Sequence, residues 1–126
     1  MTMKVLVVED NEANMKLAVI VLESGGYQVV QAVDGAQGIE QARQELPDLI
    51  LMDIQLPGTD GLTATRILKA DAATRHIPII ALTAYAMKGD DERMFAAGCD
   101  GYITKPIHYP ELLAQVARHL ERDVER

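Results

Sequence analysis

The sequence predicts an α/β fold in which five helices cover a doubly wound, five-stranded parallel sheet. Five short apolar runs recur along the 126 residues, and each is followed by a segment whose apolar residues have helical spacing. Four of the runs are almost wholly apolar, as expected for parallel strands that helices bury on both faces. A chain of this length with 48% hydrophobic residues suits one domain with a single core. We therefore expect a single domain over residues 1–126, with its core at about 4–120.

The predicted strands lie at residues 5–8, 28–32, 49–52, 77–82 and 101–104. The second run, with two glutamines, is mixed in polarity and indicates an edge strand. In the first helix Met15, Ala18 and Leu22 form one apolar row and Leu17 and Val21 another. Ile39, Ala42 and Leu46 belong to the second helix, and Tyr109, Leu112, Leu113, Val116, Ala117 and Leu120 form the stripe of the last.

Capping residues and turn residues bound these helices. Asn11 and Asp34 are expected to cap the first two helices, and Pro47 ends the second. The third helix follows a turn-rich loop at residues 56–61, and residues 90–92 place three acidic side chains in the first turn of the fourth. The segments between strands are thus predicted to be five helices.

Charge and composition exclude several classes of partner. A net charge of -7 and a pI near 4.8 argue against nucleic acid and anionic membranes, which bind basic surfaces. Cys99 is the single cysteine, so neither an internal disulfide nor a cysteine metal site is possible, and we expect this thiol to be packed and inert. The sequence shows neither a signal peptide nor an apolar stretch of membrane-spanning length. We expect a cytoplasmic protein.

Polar side chains follow the predicted strands at the point where each ends. Glu9 and Asp10 follow the first strand, Asp53 the third, Thr83 the fourth and Lys105 the fifth. In an open parallel sheet, ligands bind outside the carboxyl ends of the strands. Three carboxylates suit a magnesium ion beside a phosphoryl group, and an aspartate can form an acyl phosphate when cations offset the charge. Asp53 is the candidate nucleophile, with Lys105 as the cation and Thr83 as a hydroxyl donor.

Each of these residues also has an ordinary structural interpretation. Carboxylates after strands often only cap the next helix, Thr83 alone is a strand end, and Lys105 alone is a surface lysine. Their combination at four strand ends favours the functional interpretation, because all of them suit one task.

The chain resembles the receiver domains of two-component response regulators in Val7-Val8-Glu9-Asp10-Asn11, Leu51-Met52-Asp53-Ile54-Gln55-Leu56-Pro57, Ile80-Ala81-Leu82-Thr83-Ala84 and Tyr102-Ile103-Thr104-Lys105-Pro106. The resemblance implies a flavodoxin-like sheet with strand order 2-1-3-4-5, an order that a member of this family exemplifies. It also implies a phosphoacceptor in a phosphorelay, not an enzyme beyond slow autophosphatase activity.

The resemblance assigns a role to each matching residue. Asp53 would be the phosphoacceptor, and Mg²⁺ would be held by Glu9, Asp10, Asp53 and the backbone carbonyl of Gln55. Lys105 would bind the phosphoryl group, and the peptide bond that follows it would be cis.

The resemblance also implies a switch and its partners. Thr83 and Tyr102 would be the switch pair, acting on a face built from the fourth helix, fifth strand and last helix. A histidine kinase or phosphotransfer protein would donate the phosphoryl group, and that face would bind a downstream protein, the chain itself being a monomer or weak homodimer. Similarity is closer still to single-domain regulators of the DivK type, in residues 9–12, 53–57 and 84–90. The terminal run 121–126 is too short for a DNA-binding output domain.

Three alternatives remain open from the residues alone. A magnesium-dependent phosphohydrolase would commonly need an acid two residues after its nucleophile, where this chain has Gln55. A flavodoxin-like FMN carrier would need a phosphate loop rich in amides and hydroxyls, whereas residues 9–12 are acidic. A degenerate receiver acting only as a docking module would lack some of the groups that this chain retains.

Overall fold

A single parallel sheet organises the chain, and its strand order confirms the predicted fold class. The computed structural model describes residues 2–84 and 89–124. Its strands are β1 (Lys4–Val8), β2 (Gln28–Ala32), β3 (Leu49–Asp53), β4 (Ile79–Thr83) and β5 (Gly101–Thr104), in the order β2-β1-β3-β4-β5. The helices of the described residues are α1 (Glu12–Ser24), α2 (Gly35–Glu45), α3 (Gly61–Ala70), α4 (Asp90–Ala97) and α5 (Tyr109–Val124). Residues 85–88, within the sequence motif at 84–90, lie outside the described residues.

The register of the sheet brings the carboxyl ends of the strands to one level. Val8 of β1 lies opposite Met52 of β3, so the residues that follow them, Glu9 and Asp53, are neighbours. Thr83 of β4 pairs with Thr104 of β5, directly before Lys105. The strand order reverses between β1 and β3, which is where a doubly wound sheet opens a crevice for ligands.

Alternation along the strands divides the core into two layers, because successive side chains point to opposite faces. One layer packs α2, α3 and α4 on the sheet and includes Leu6, Val8, Ile50, Met52, Ala42, Leu62, Leu68 and Met94. The other packs α1 and α5 and includes Val5, Val7, Leu49, Leu51, Met15, Leu22, Leu112 and Val116. Central strands β1, β3 and β4 are buried along almost their whole length, whereas β2 is the half-exposed edge that its glutamines indicate.

Strand β4 begins two residues later than the apolar run predicts. Ile77 is buried, at 1% exposed, but its N–H donates to the Thr74 carbonyl of the preceding turn. Pro78 has no N–H to give to a neighbouring strand, although its carbonyl accepts from the Ile50 N–H at 2.9 Å. The ladder therefore starts at Ile79.

The predicted caps are confirmed, whereas two predicted core positions are on the surface. Asn11 accepts a hydrogen bond from the Asn14 N–H at 2.9 Å, and Asp34 caps α2 in the same way. Leu17 of α1 is 46% exposed, so the second apolar row of that helix does not reach the core. Leu46 is 53% exposed because α2 ends before it; a residue that precedes proline disfavours the right-handed helical region, and Leu46 has a φ of 45°.

Among the described residues, none of the helices is both long enough and apolar enough to cross a membrane.

Candidate functional site

Three carboxylates meet at the edge of the sheet where β1 and β3 end. Glu9 and Asp53 are each 2% exposed, and Asp10 lies on the surface beside them. One carboxylate oxygen from each residue lies within 4.8 Å of the others. The predicted acidic trio therefore forms a single cluster.

Lys105 joins this cluster from the end of β5. Its Nζ donates to Asp53 Oδ2 at 2.8 Å and to Glu9 Oε1 at 2.9 Å, and the side chain is 19% exposed. Burial by itself would lower the pKa of this ammonium, but hydrogen bonds to Asp53 and Glu9 and the charges of both outweigh it and raise the pKa. Lys105 is therefore a fixed cation within the cluster. The Lys105–Pro106 peptide bond is cis, as the resemblance implies.

The second oxygen of Asp53 is held by the backbone of the loop that follows. Gln55 N–H donates to Asp53 Oδ1 at 2.9 Å, and Ile54 N–H donates to the Leu82 carbonyl at 2.9 Å. The carboxylate is thus fixed by a side chain from β5 on one oxygen and by its own loop on the other. Such hydrogen bonds limit the rotation of the carboxylate and leave its remaining lone pairs for a ligand.

Glu9 carries the clearest electrostatic perturbation of the site. Burial, followed by the hydrogen bond and the negative charge of Asp53, raises its pKa from 4.5 to about 7, against the lowering effect of Lys105. The Asn11 N–H at 3.4 Å from Glu9 Oε2 is only a distant donor. In the metal-free cluster, protonation of Glu9 is therefore favoured below about pH 7 and ionisation above it.

The donor set fits a hard divalent cation. Magnesium prefers oxygen ligands at about 2.0–2.1 Å and keeps several waters, so one or two carboxylates at a partly open rim satisfy it. Two of the carboxylates here are buried and the third is open to water. When ionised, the three carboxylates and the single ammonium of Lys105 leave an excess of negative charge that a cation offsets.

The structure places the two predicted switch residues differently with respect to this cluster. Thr83, 3% exposed, ends β4 at the same edge, and its carbonyl accepts from the Lys105 N–H at 2.7 Å. Tyr102 lies farther down β5, opposite Ala81, and is half-buried. Its ring meets Phe95 of α4 edge-on, with centroids 6.2 Å apart and planes at 70°.

Sequence reasoning missed the close backbone contact behind Asp53. Gly61, the first residue of α3, approaches the Asp53 carbonyl so closely that a Cβ would lie 2.1 Å from the oxygen. Its N–H donates to the Ile54 carbonyl at 3.1 Å. A glycine after an aspartate in a turn-rich loop was the available signal, but its neighbour in space is known only from the fold.

Known proteins with similar sequences are response regulators. A family model described as the response regulator receiver domain matches residues 5–117. The polar-differentiation response regulator DivK of Brucella ovis is 49% identical over 120 residues, which cover 95% of this chain and 98% of that protein. DivK of Brucella anthropi is 48% identical over 120 residues, which cover the same fractions of the two chains.

Solved structures of receiver domains have the same fold as this chain. The receiver domain of a sensor histidine kinase from Pseudomonas aeruginosa PAO1, which holds a magnesium ion in its active site cleft, has a TM-score of 0.89. It is 40% identical, and the match covers 96% of this chain and 99% of that one. A CheY-like receiver domain from Methanospirillum hungatei JF-1 has a TM-score of 0.90 at 28% identity, covering 99% and 98% of the two chains.

These matches decide between a receiver domain and a phosphohydrolase. Receiver domains are signalling phosphoacceptors and not enzymes of the phosphohydrolase class, and their acidic pocket binds Mg²⁺. With a matching family model, close relatives at almost full length and the acidic cluster in place, the chain belongs to the response regulator receiver domains of two-component systems, and it is DivK-like.

Proposed function

We propose that Asp53 accepts a phosphoryl group from a histidine kinase or a phosphotransfer protein and that the phosphorylated chain signals by altered protein binding. The single observation that carries the proposal is the position of Asp53 between the Lys105 ammonium, 2.8 Å from one oxygen, and the carboxylates of Glu9 and Asp10. The second oxygen of Asp53 is also fixed by a backbone N–H of its own loop, that of Gln55 at 2.9 Å, whereas the Asn11 N–H lies 3.4 Å from the second oxygen of Glu9.

The chemistry requires an oxygen nucleophile and positive charge around phosphorus. An Asp53 oxygen attacks the phosphorus of a phosphohistidine, a P–O bond forms, the P–N bond breaks, and the departing imidazole keeps the electron pair and takes a proton from solvent. Mg²⁺, held by Glu9, Asp10, Asp53 and the Gln55 carbonyl, would supply charge neutralisation to the transferring group.

Lys105 has to change partners during this reaction. In this structure its ammonium hydrogen-bonds to both Asp53 and Glu9. It covers the Asp53 carboxylate, whose side chain is 3% exposed. We expect the ammonium to shift onto a phosphoryl oxygen while Glu9 is released toward the metal. Thr83, at the same edge, would donate its hydroxyl to another phosphoryl oxygen, and Tyr102 would then rotate.

A surface beside Lys105 suits the donor protein. A groove of about 540 Å³ opens between α1 and the loop before α5, lined by Leu17, Lys105, Ile107 and Tyr109 among others. Leu17 is 46% exposed and Ile20, one turn further along α1, is 63% exposed. Apolar side chains exposed next to a reactive group favour an apolar protein partner at this point.

The output surface is proposed on the opposite side of β5. On the face of α4, β5 and α5, Phe95 is 50% exposed and its ring contacts the half-buried Tyr102. A rotation of Tyr102 would therefore change the shape of the surface that a partner contacts. The net charge of -7 favours a protein partner over nucleic acid.

The same proposal includes three properties of the whole chain. Residues 1–126 form a single domain, the protein is a monomer or weak homodimer, and it is located in the cytoplasm, where ATP is available to the kinase.

Incubation with Mg²⁺ and acetyl phosphate, followed by mass spectrometry with the modified residue mapped, tests the acceptor. Asp53→Asn should take no label, whereas Asp91→Asn on the exposed start of α4 should be labelled like wild type. A magnesium-dependent acyl phosphate on Asp53→Asn at the normal rate would disprove the assignment.

The donor surface has its own test. Ile20→Lys should slow transfer from a phosphorylated histidine kinase or phosphotransfer protein and leave labelling by acetyl phosphate unchanged, because the small donor needs no docking surface. Equal slowing with both donors would mean that the substitution disturbs the site itself.

A further inference from the structure

Two Asp-Gly dipeptides border the loop that leaves the phosphoacceptor. Asp34-Gly35 begins α2 and Asp60-Gly61 begins α3, and in both the aspartate caps the helix while the glycine is its first residue. Each aspartate accepts a hydrogen bond at 2.8 Å from the N–H three residues on. The loop between β3 and α3, residues 54–60, ends at the second dipeptide and lies against the first.

Gly35 meets this loop at its far end. A Cβ on Gly35 would lie 2.2 Å from the carbonyl oxygen of Thr59 and 3.0 Å from Thr59 Cβ. Contacts under 3.0 Å essentially never occur for real Cβ atoms, and a backbone carbonyl has no rotamer by which to move away. The backbone of Gly35 is not in the left-handed region, so the contact with Thr59, and not an unusual φ, is what requires glycine here.

Gly61 holds the near end of the same loop. A Cβ there would lie 2.1 Å from the Asp53 carbonyl oxygen and 2.8 Å from Ile54 Cα, and the Gly61 N–H closes the loop onto the Ile54 carbonyl at 3.1 Å. Between the two contacts, Leu56 buries its side chain in the core at 8% exposed. The loop is therefore fixed at both ends and once in the middle.

We propose that Gly35, which belongs to neither the acidic cluster nor its loop, is a positioning residue for the metal site. Because Gly35 has no Cβ, the start of α2 packs directly against the Thr59 carbonyl. This contact fixes the conformation of the loop that carries Gln55. The inference rests on the proposed function in one respect, the role of the Gln55 carbonyl as a metal ligand. Because a site must hold its ligands to within about 0.5 Å, a displaced loop would lose affinity without any change in the carboxylates.

The test is Gly35→Ala, whose Cβ must push the Thr59 carbonyl away. Calorimetric titration with Mg²⁺ should give a dissociation constant raised about tenfold or more, the usual effect of losing a group that orients a metal ligand. In metal-free protein, the amide of Gly61 should exchange faster by NMR, since its bond to the Ile54 carbonyl loosens. The second readout needs no metal.

Ala42→Gly is the matched control, because Ala42 is fully buried in the same helix but faces the core and not the loop. Glycine has a lower helix propensity than alanine, so this substitution destabilises α2 without touching Thr59. We expect its Mg²⁺ affinity and its Gly61 exchange to match wild type. If Gly35→Ala does not fold, Asp34→Ala replaces it, because loss of the cap should fray the first turn of α2 and loosen the same contact.

The outcomes separate the two proposals. Weaker Mg²⁺ binding and faster Gly61 exchange in Gly35→Ala or Asp34→Ala, but not in Ala42→Gly, support the positioning role. Unchanged Mg²⁺ affinity or unchanged Gly61 exchange in the folded variant, or equal losses in Ala42→Gly, would overturn it. If the wild-type protein binds no Mg²⁺, the proposed function is overturned instead. The Gly61 exchange rates would still show whether the contact between Gly35 and Thr59 fixes the loop.

Discussion

Protonation of the buried Glu9 should make the metal-free protein more stable at mildly acidic pH than at pH 8. Burial and the neighbouring Asp53 raise the pKa of this carboxyl to about 7, against 4.5 for the free side chain. Between these values the folded state holds a proton that the unfolded state has lost. Unfolding therefore releases a proton, and the free energy of unfolding falls as pH rises through this window.

The size of the effect follows from the shift. A displacement of one pKa unit corresponds to about 1.4 kcal/mol, so the rise to about 7 costs the folded state on the order of 3 kcal/mol by pH 8. Glu9→Gln keeps the shape and an oxygen for Lys105 but cannot ionise. The variant should match wild type near pH 5 and exceed its stability by on the order of 3 kcal/mol at pH 8.

The assay is urea unfolding in EDTA at constant ionic strength from pH 5 to 8, followed by circular dichroism. The chain has four tyrosines and no tryptophan, so tryptophan fluorescence does not serve. Glu12→Gln, at a side chain that is 88% exposed, controls for the loss of one carboxylate from the chain. If the difference between Glu9→Gln and wild type stays constant with pH, burial does not control the ionisation of Glu9 and the reasoning fails.

Four further outcomes are expected. Lys105→Met should destabilise the metal-free protein at pH 8 by about 2–3 kcal/mol in urea, because two buried carboxylates lose their shared cation. Mg²⁺ at tenfold its dissociation constant should stabilise wild type by about 1.4 kcal/mol and raise Tm by a few degrees, whereas Asp53→Asn should show a smaller increment in calorimetry. Thr83→Ala should accept phosphate from acetyl phosphate yet bind a downstream partner more weakly than phosphorylated wild type does, and equal affinities would argue against the switch. Cys99, 5% exposed and with its thiol pKa raised by burial, should react with a thiol reagent only as fast as the protein opens, which the ratio of rates in native buffer and in urea measures.

The strand order and the meeting of Glu9, Asp10, Asp53 and Lys105 could be anticipated because each depends on local pattern plus one rule about parallel sheets. Apolar runs mark buried strands, and the residues that end such strands share an edge. The predicted start of β4 is wrong, because a local property of proline outweighs the apolar pattern. Pro78 cannot donate to the ladder, so the apolar run at residues 77–82 yields a strand only from Ile79 onward.

Other features could not be read from the sequence because they depend on distant neighbours. The apolar spacing of α1 does not distinguish Leu22, fully buried, from Leu17, 46% exposed, since both continue a helical row. The need for glycine at position 35 arises from a carbonyl 24 residues later that only the packing of α2 on the loop brings near. The ionisation of Glu9 likewise depends on burial and on a partner from the other strand.

The bond between Lys105 and Glu9 joins residues 96 positions apart, and the bond to Asp53 joins residues 52 apart. Contacts of such separation form late, because the loop they close is long and the intervening strands must pair first. During synthesis the chain therefore holds its acidic residues long before the cation that completes the pocket has been made. If Asp53 is the phosphoacceptor, as proposed, phosphoryl transfer requires the end of β5 to be in place, so a copy that lacks β5 should not accept the group.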